Sequence, residues 1–253
     1  MTIRHGGLAV EWLGYAGLRI EATDGTVVYL DPGRYGTLTG EWRPDSPGVG
    51  HPEARDYSPA DGDLVFVTHD HHYDSDGIRR VAADDATVAV YEAVYPPGID
   101  RDVEDLDALP YETVRLDEEA DRLFGEAVVR AVPAYNESDG PHTDASGEPY
   151  HPEGFGAGYL VTLPGRSGDV TVFWPGDTDV LAGHAELDAS VFCPPIGGSF
   201  TMDRREAAEL AEAIDPELVV PIHYNTFEAL ETDSGAFAAD VAERGVPVVL
   251  DER

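Results

Sequence analysis

The chain has 253 residues, of which 42% are hydrophobic, so it is long enough to bury a substantial core within one domain spanning residues 1–253. Its 50 acidic residues outnumber its 16 cationic ones, all of which are arginine, and the net charge is −34. This charge argues against a nucleic-acid partner, which requires a basic surface, and no apolar run approaches the roughly 20 residues of a membrane span.

Short apolar runs separated by turn residues predict a strand-rich first half. Asp24-Gly25 is typical of a hairpin turn. Residues 34–62 hold several prolines and glycines and predict a long loop. Residues 75–82 predict a short helix capped by Ser75 or Asp76. The predicted strands in this half are 8–13, 18–21, 27–30, 64–67, 87–91, 111–116 and 127–132.

The second half alternates strands with helices. Residues 137–153 predict another long polar loop. Asp203 followed three residues later by Glu206 has the spacing of a capping box and predicts a helix start. A last helix is predicted from about residue 234 to 244. The predicted strands in this half are 156–163, 170–174, 190–193, 218–222 and 246–250.

A cluster of histidine and aspartate residues follows the predicted strand 64–67. His69, His71, His72 and Asp74 occur within six residues, whereas the whole chain has 9 histidines. In extended backbone residues i and i+2 point the same way, so the rings of His69 and His71 could reach one ion. This pattern predicts a metal site at the end of the strand.

Three further strand ends carry polar residues of the same kind: Tyr135-Asn136, Asp177 with Asp179, and His223. If these strands leave their sheets in the same direction, their ends share one edge. Imidazole and carboxylate ligands together suit Zn²⁺, Mn²⁺ or iron. The single cysteine, Cys193, lies among apolar residues and prolines and is interpreted as a buried small hydrophobe, so a cysteine-rich zinc site is excluded.

The chain resembles the metallo-β-lactamase fold superfamily of metal-dependent hydrolases, and within it the branch that includes ascorbate-6-phosphate lactonase-like proteins. The resemblance implies an α/β fold, an αββα sandwich of two face-to-face sheets with helices outside. It also implies that His69 and His71 bind a first ion, Asp177 bridges two ions, and His223 binds the second. The matching stretches are residues 11–17, 30–32, 68–71, 133–136, 151–154, 176–179, 195–198, 201–203 and 221–226.

The sequence departs from the usual His-x-His-x-Asp-His pattern of that superfamily. Its last two positions are Tyr73 and Asp74, the histidine expected after residues 133–135 is Asn136, and an early Gly-His-Ala is Gly-Tyr15-Ala. Three arrangements remain open. His72 and Asp74 could replace the missing pair, His151 could supply the third ligand of the first ion, or the site could hold a single ion.

Other polar residues receive expectations of their own. We expect His142 to be solvent-exposed and His5, His51 and His184 to lie at the surface. Asp31 is a turn former or a partner that orients a ligand, and Asp70 and Asp179 are either partners of this kind or surface carboxylates. Tyr135 and Tyr224 could donate a proton or hold substrate, although core roles are favoured for both.

The function predicted from the sequence is metal-dependent hydrolysis of an ester, lactone or phosphodiester. One or two ions, Zn²⁺ or Mn²⁺, would lower the pKa of water towards about 7. Asp74 is the predicted carboxylate that orients or deprotonates the water. The alternatives are a degenerate metal- or ligand-binding member without turnover, and a nuclease.

We expect a small-molecule substrate, with the loops 34–62 and 137–153 walling the site. The acidic composition fits a high-salt cytoplasm, where the Debye length falls to about 3 Å and self-repulsion is screened. The absence of a leader-like apolar stretch at the start also leads us to expect a cytoplasmic protein. The sequence gives no indication of oligomeric state.

Overall fold

The computed structural model describes residues 2–47, 49–51, 54–118 and 121–252, and its framework is two β-sheets. The first sheet has seven strands, which lie side by side in the same order as in the chain. Its first four strands pair antiparallel and its last four pair parallel. The strands are β1 (Ile3–His5), β2 (Leu8–Gly14), β3 (Gly17–Glu21), β4 (Val27–Leu30), β5 (Gly62–Val67), β6 (Ala82–Tyr91) and β7 (Glu112–Leu116).

The second sheet has six strands in the order β13-β12-β11-β10-β9-β8. Strands β8 to β11 pair antiparallel, and β11, β12 and β13 pair parallel. The strands are β8 (Asp121–Phe124), β9 (Ala127–Ala134), β10 (Gly156–Pro164), β11 (Asp169–Trp174), β12 (Val191–Phe192) and β13 (Leu218–Val219).

The two sheets pack face to face over one continuous hydrophobic cluster. The ring of Phe66 on β5 lies 5.5 Å from that of Tyr159 on β10 and 5.6 Å from that of Phe124 on β8. The Tyr159 hydroxyl donates a 2.8 Å hydrogen bond to the carbonyl of Val67 across the same interface. These contacts confirm the sandwich that the resemblance implied, with Cys193 buried in its core as expected.

Within the described residues three α-helices accompany the sheets: α1 (Ser75–Val81), α2 (Arg204–Ile214) and α3 (Ser234–Glu243). Helix α1 contacts β5 and β6, and α2 contacts α3. The predicted capping box is confirmed, because Asp203 accepts the Glu206 amide at 2.9 Å and the Glu206 carboxylate accepts the Asp203 amide at 2.7 Å. The predicted cap of α1 is wrong, since Asp74 rather than Ser75 or Asp76 occupies that position.

The strand predictions differ from the structure mainly at exposed edges. Strand β8 was not predicted because its residues are mostly exposed and carry no apolar alternation. The predicted strand 246–250 is reduced to an isolated bridge between Val248 and Val219. The predicted strand 218–222 shortens to two residues with a separate bridge at Ile222. The predicted loop 34–62 includes residues 48, 52 and 53, which lie outside the described residues. Its described part forms no helix or strand before β5 begins at Gly62, apart from an isolated bridge between Thr39 and Asp56.

Strand direction explains where the polar strand ends meet. β4 and β5 are parallel neighbours, so Asp31 and Thr68 follow them at the same edge of the first sheet. In the second sheet Asp177 follows β11 and His223 lies beyond β13, which runs in the same direction. The indole of Trp174 at the end of β11 donates to the Asp31 carboxylate at 2.7 Å. The two edges therefore adjoin at one end of the sandwich.

No helix in the described ranges is both long enough and apolar enough to cross a membrane.

Candidate metal centre

A tight turn after β5 brings three histidines together. The amides of His72 and Tyr73 donate to the carbonyl of His69 at 3.1 and 3.2 Å, so the chain turns directly after Thr68. The predicted extended geometry of residues 69–71 is therefore wrong, and the turn rather than a strand sets the directions of the rings. His72 joins His69 and His71 at the site for this reason. Gly156 on β10 permits the close approach, because a Cβ there would lie 2.9 Å from the Cβ of His69.

One group of ligand atoms is formed by His69, His71 and His151, whose donor nitrogens lie within 4.8 Å of one another. His71 Nδ1 and His151 Nε2 are 3.1 Å apart. The ring of Phe155 lies 5.6 Å from His69 and 5.1 Å from His71, and forms an apolar wall on one side. His151 thus occupies the position for which the sequence offered it as one of three alternatives.

A second group lies beside the first and contains His69, His72 and Asp177. Asp177 Oδ1 lies 3.5 Å from His72 Nε2 and 3.3 Å from His223 Nε2. Asp177 Oδ2 faces the other way and lies 3.8 Å from His69 Nε2 and 3.4 Å from His151 Nε2. The Asp177 carboxylate therefore directs Oδ1 toward His72 and His223, and Oδ2 toward His69 and His151.

Several of the ligand atoms are left without hydrogen-bond partners within the described part of the chain. His69 Nε2, His72 Nε2, Asp177 Oδ1 and both ring nitrogens of His223 are buried in this state. Each unsatisfied buried polar atom costs about 1–3 kcal/mol, so five in one place indicate a missing partner. Cations between them would satisfy the Asp177 oxygen and one nitrogen of each ring, and nitrogen and carboxylate oxygen are the donors that Zn²⁺ and Mn²⁺ accept.

Burial keeps the imidazoles in the form that binds metal. It lowers the pKa of His71 to about 4 and those of His151 and His223 to about 3. It also lowers the pKa values of His69 and His72 well below 6.5, and neighbouring histidines add to the effect. The rings are therefore neutral at pH 7 and present free lone pairs, as metal ligation requires. Burial raises the pKa of Asp177 well above 3.8, so its carboxylate also needs a nearby positive charge.

Asp31 fixes the orientation of His72. Its Oδ2 lies 2.9 Å from His72 Nδ1 and accepts from the indole of Trp174, while the hydroxyl and amide of Thr68 donate to its two oxygens at 2.8 Å. Burial raises the pKa of Asp31 to about 6 against the effect of these hydrogen bonds. Because Nδ1 of His72 faces the carboxylate, Nε2 is the nitrogen directed toward Asp177. A carboxylate that orients a histidine ligand in this way is common in metal sites.

Asn136 performs the corresponding task for His151. Its Oδ1 accepts the His151 amide at 3.0 Å and lies 3.1 Å from His151 Nδ1. Its Nδ2 donates to Asp179 Oδ1 at 2.9 Å and to the carbonyl of Phe200 at 3.0 Å, which fixes the direction of the amide. Asn136 therefore orients His151 with Nε2 toward the cluster and does not itself join either group of ligand atoms.

Behind Asn136, the buried pair of Asp179 and His142 holds the loop 137–153 in place. His142 Nδ1 is 2.5 Å from Asp179 Oδ1, and Nε2 is 2.9 Å from the carbonyl of Gly198. The expected exposure of His142 is wrong, since its exposed fraction is 6%. The hydrogen bond to Asp179 raises the pKa of His142 above 6.5. Although burial acts to raise it, the pKa of Asp179 is held below 3.8 by hydrogen bonds from His142, Glu137 and Asn136.

Asp74 lies at a different place from the one predicted. Its carboxylate accepts the amides of Asp76 and Gly77 as the N-cap of α1, and its Oδ2 accepts the amide of Arg34. It belongs to neither group of ligand atoms found among the described residues. Both of its oxygens accept hydrogen bonds from backbone N–H groups. The structure therefore gives no support to the roles of metal ligand and general base that the sequence predicted for Asp74.

Several other expectations also need revision. His51 stacks on Trp42 with ring centroids 3.9 Å apart, and His184 Nε2 lies 3.0 Å from the carbonyl of Pro133, so both are buried rather than at the surface. His5 is partly exposed beside Glu217, as expected. The Asp70 carboxylate accepts the amide of Tyr95 and ties two loops together.

Of the two tyrosines offered as substrate contacts, neither lines the cavity at the site. Tyr224 stacks on Trp12 at 4.6 Å and donates to Glu252, which confirms its core role. Tyr135 lines a separate depression with residues of β9 and residues 181–187.

A cavity of about 270 Å³ opens onto the two groups of ligand atoms. Both long loops contribute to its wall, as predicted, through Arg34 and Tyr35 on one side and Tyr150 and His151 on the other. Sequence reasoning missed its aromatic lining, because the contributing rings come from segments far apart in the chain. The lining residues are Tyr15, Arg34, Tyr35, His71, Tyr150, His151, Asp177, Phe200, His223 and Phe227.

Comparison of the sequence with known proteins identifies relatives of this chain. The family described as "Beta-lactamase superfamily domain" matches residues 9–223. A UPF0173 metal-dependent hydrolase of Pyrococcus horikoshii is 32% identical over 251 residues, covering 95% of each chain. A UPF0173 metal-dependent hydrolase of Methanopyrus kandleri is 32% identical over 253 residues, covering 95% of this chain and 94% of its own.

Among solved structures, Igni18, a metallo hydrolase from the archaeon Ignicoccus hospitalis, superimposes with a TM-score of 0.67 at 22% identity. The match covers 96% of this chain and 94% of the Igni18 chain. At this identity the likeness shows a shared fold.

Proposed function

The chain belongs to the β-lactamase superfamily of metal-dependent hydrolases, and from this we propose that it hydrolyses an ester, lactone or phosphodiester bond of a small molecule at a centre of two divalent ions. His69, His71 and His151 would hold one ion. His72 and His223 would hold the other, and Asp177 would bridge the two. The observation that carries the proposal is the convergence of these ligand atoms, of which those of His69, His72, Asp177 and His223 are buried without hydrogen-bond partners among the described residues.

Bound Zn²⁺ or Mn²⁺ supplies a Lewis acid and lowers the pKa of water, so that hydroxide is available near neutral pH. The protein contributes orientation and exclusion of water. Asp31 and Asn136 fix the two histidines that differ from the usual family pattern, and the aromatic walls shield the cavity. The departures of the sequence at residues 72–74 and 136 are thereby compensated within the same site.

Tyr15 is positioned to contact the substrate. Its ring lies 4.7 Å from that of His223 and 5.1 Å from that of His72, and it lines the cavity. Burial raises the pKa of Tyr15 well above 10, so the phenol stays protonated at neutral pH. We infer that its hydroxyl donates a hydrogen bond to a substrate oxygen as negative charge develops there.

The test is metal content together with turnover. Purified protein should contain two transition-metal ions per chain by elemental analysis, and Asp177→Ala should lose most of both because it removes the bridging carboxylate. Asp203→Ala serves as the matched control, since the same change at the cap of α2 should leave both ions in place. Full metal content in Asp177→Ala would refute the assignment of the centre.

Turnover is measured on ester, lactone and phosphodiester panels in molar salt with added Zn²⁺ or Mn²⁺. Hydrolysis of at least one class is expected, and it should disappear in Asp177→Ala. Two bound ions with no hydrolysis across the panel would instead support the non-catalytic alternative. Cleavage restricted to nucleic acid would support the nuclease alternative. Arg34 is the one cationic side chain among the described residues of the cavity lining, which gives that alternative little support.

We also propose that the protein works in the cytoplasm of a high-salt cell, without nucleic-acid or membrane partners. The net charge of −34 supports this setting, because molar salt screens its self-repulsion. Thermal unfolding measured from 0.1 to 3 M KCl should show stability rising with salt, and a melting temperature independent of salt would contradict it.

A further inference from the structure

The cavity at the metal centre is lined by one positively charged side chain, that of Arg34, in a chain whose net charge is −34. Arg34 is the only lysine or arginine among the described residues that line it. Its guanidinium carbon lies 4.6 Å from the ring centroid of Tyr35 and 6.0 Å from that of Tyr15. No carboxylate side chain within the described ranges forms an ion pair with this guanidinium.

Only part of the guanidinium is engaged by the protein. Nη1 donates to the backbone carbonyl of His71, which ties Arg34 to the turn that carries the ligands. Nε and Nη2 have no hydrogen-bond partner among the described residues. These two N–H groups form one edge of the planar fork, and their parallel direction matches the two oxygens of a carboxylate.

The backbone around Arg34 is held in an unfavourable conformation. Arg34 and Tyr35 have φ values of 67° and 52°, and they stand between Gly33 and Gly36, whose φ values are 104° and 76°. Left-handed backbone in non-glycine residues is uncommon and tends to occur where function requires it. The Asp74 carboxylate accepts the Arg34 amide, and the Thr37 hydroxyl donates to the carbonyls of Gly33 and Arg34. These hydrogen bonds fix the position from which the guanidinium reaches the cavity.

The rest of the wall is aromatic. Tyr15, Tyr35 and Phe227 form a contiguous set with ring centroids 4.9 to 6.3 Å apart, and Tyr150 and Phe200 form a T-shaped pair at 4.9 Å. Such a surface favours an apolar or aromatic molecular body. The volume of about 270 Å³ is below the range of about 300–1,000 Å³ typical of pockets for drug-sized ligands.

We propose that the substrate is a small carboxylic acid derivative, an apolar or aromatic molecule with a free carboxylate beside its hydrolysable bond, and that Arg34 binds this carboxylate. The inference rests on the proposed hydrolase function, because it places the carboxylate next to the metal centre. Arg34 is a specificity-determining residue in this assignment, and Asp74 is the positioning residue that holds its backbone. Asp74 thus acts through the backbone of Arg34 and not as the predicted metal ligand or base.

The binding test uses the metal-loaded protein and three probes: benzoate, its neutral counterpart benzamide, and phenylphosphonate. Calorimetry should show that Arg34→Met weakens benzoate binding by about 10- to 100-fold, as expected for loss of a charge-assisted pair, and changes benzamide binding little. Arg34→Lys keeps the charge but lacks the fork, so it should recover only part of the affinity. Arg122→Met, at an exposed arginine outside the cavity, is the matched control and should leave benzoate binding unchanged.

Metal content is measured on every variant, because Arg34 also contacts the His71 carbonyl. Unchanged benzoate affinity in Arg34→Met with both ions retained would overturn the inference. A loss confined to phenylphosphonate would replace the carboxylate by a phosphoryl group and overturn the class assigned here. If Arg34→Met loses ions, Arg34→Lys with its ions retained decides the question, and wild-type affinity in that variant refutes the bidentate contact.

The hydrolysis test separates this inference from the proposed function. The half-ester 4-nitrophenyl hydrogen glutarate is compared with its neutral methyl ester by release of 4-nitrophenol. Wild type should favour the half-ester, and Arg34→Met should lower kcat/KM for the half-ester by about 10- to 100-fold while changing the neutral ester little. Hydrolysis of both esters at equal rates would refute the role of Arg34 and leave the hydrolase function intact. Absence of hydrolysis with benzoate binding still dependent on Arg34 would refute ester hydrolysis and leave the binding site intact.

Discussion

Replacing Asn136 by alanine tests how the protein compensates for the lack of a histidine at this position. The side chain is 1% exposed and makes contacts to His151, Asp179 and the carbonyl of Phe200. Truncation leaves two buried groups of His151, its amide and its Nδ1, without the Asn136 oxygen. Water can enter the space, so the lower end of about 1–3 kcal/mol per group applies, and we expect about 2 kcal/mol of lost stability.

The effect on metal binding is a separate expectation. Without Asn136, the ring of His151 loses the contact that directs Nε2 toward the cluster. Loss of a partner that orients a metal ligand lowers affinity by about 10- to 100-fold. We therefore expect the variant to release one ion to a chromophoric chelator about 10- to 100-fold more readily, while the ion held by His72 and His223 is less affected.

The assay is a zinc competition titration combined with urea unfolding, both in molar salt. Asn225→Gly is the control, since it removes the only other asparagine side chain of the chain. Glycine tolerates the φ of 50° at that position, and the change removes a hydrogen bond to the Thr232 amide. It should therefore lower stability without the same loss of zinc affinity. If folded Asn136→Ala binds both ions as tightly as wild type, the assignment of His151 as a ligand oriented by Asn136 is wrong.

Three further changes test the remaining assignments. Asp74→Ala should lower the free energy of unfolding by about 1–2 kcal/mol through loss of the α1 cap, with both ions retained by elemental analysis, and loss of metal would restore its role as a ligand. His72→Ala should reduce the metal content from two ions to one, and two tightly held ions would exclude His72 as a ligand. His142→Gln should be most destabilising between about pH 4 and 6.5. The pKa of His142 is raised in the folded protein, so its stabilising charge is lost when the ring deprotonates at high pH. The pKa of Asp179 is lowered, so its stabilising charge is lost when the carboxylate takes up a proton below about pH 4. Urea unfolding at pH 5.5 and pH 9 measures this difference, and an equal penalty at both values would contradict the charged pair.

The strands that enclose the metal centre could be predicted well because their apolar runs are set by burial between two sheets. β5, β9, β10 and β11 are buried along most of their length, and such runs are visible locally in the sequence. β8 lies at a sheet edge with exposed residues, so no local pattern marks it. The end of the chain shows the opposite case, because its apolar run predicted a strand at 246–250 and the structure gives it one isolated bridge between Val248 and Val219.

The sequence by itself determined that imidazoles and carboxylates follow strand ends, because ligand type and strand polarity are local properties. It identified His69, His71, Asp177 and His223, and it offered His72 and His151 as alternatives. Only the tertiary structure shows that both rings lie in groups of ligand atoms, since the turn at residues 69–72 and the contact between Asn136 and His151 join residues through space. The structure also shows Asp74 at the cap of α1 instead of at the metal centre. The sequence could not show this, because the role of a carboxylate depends on which N–H groups surround it in the fold. The cavity with Arg34 is a product of folding alone, because its walls are drawn from segments up to about 200 residues apart.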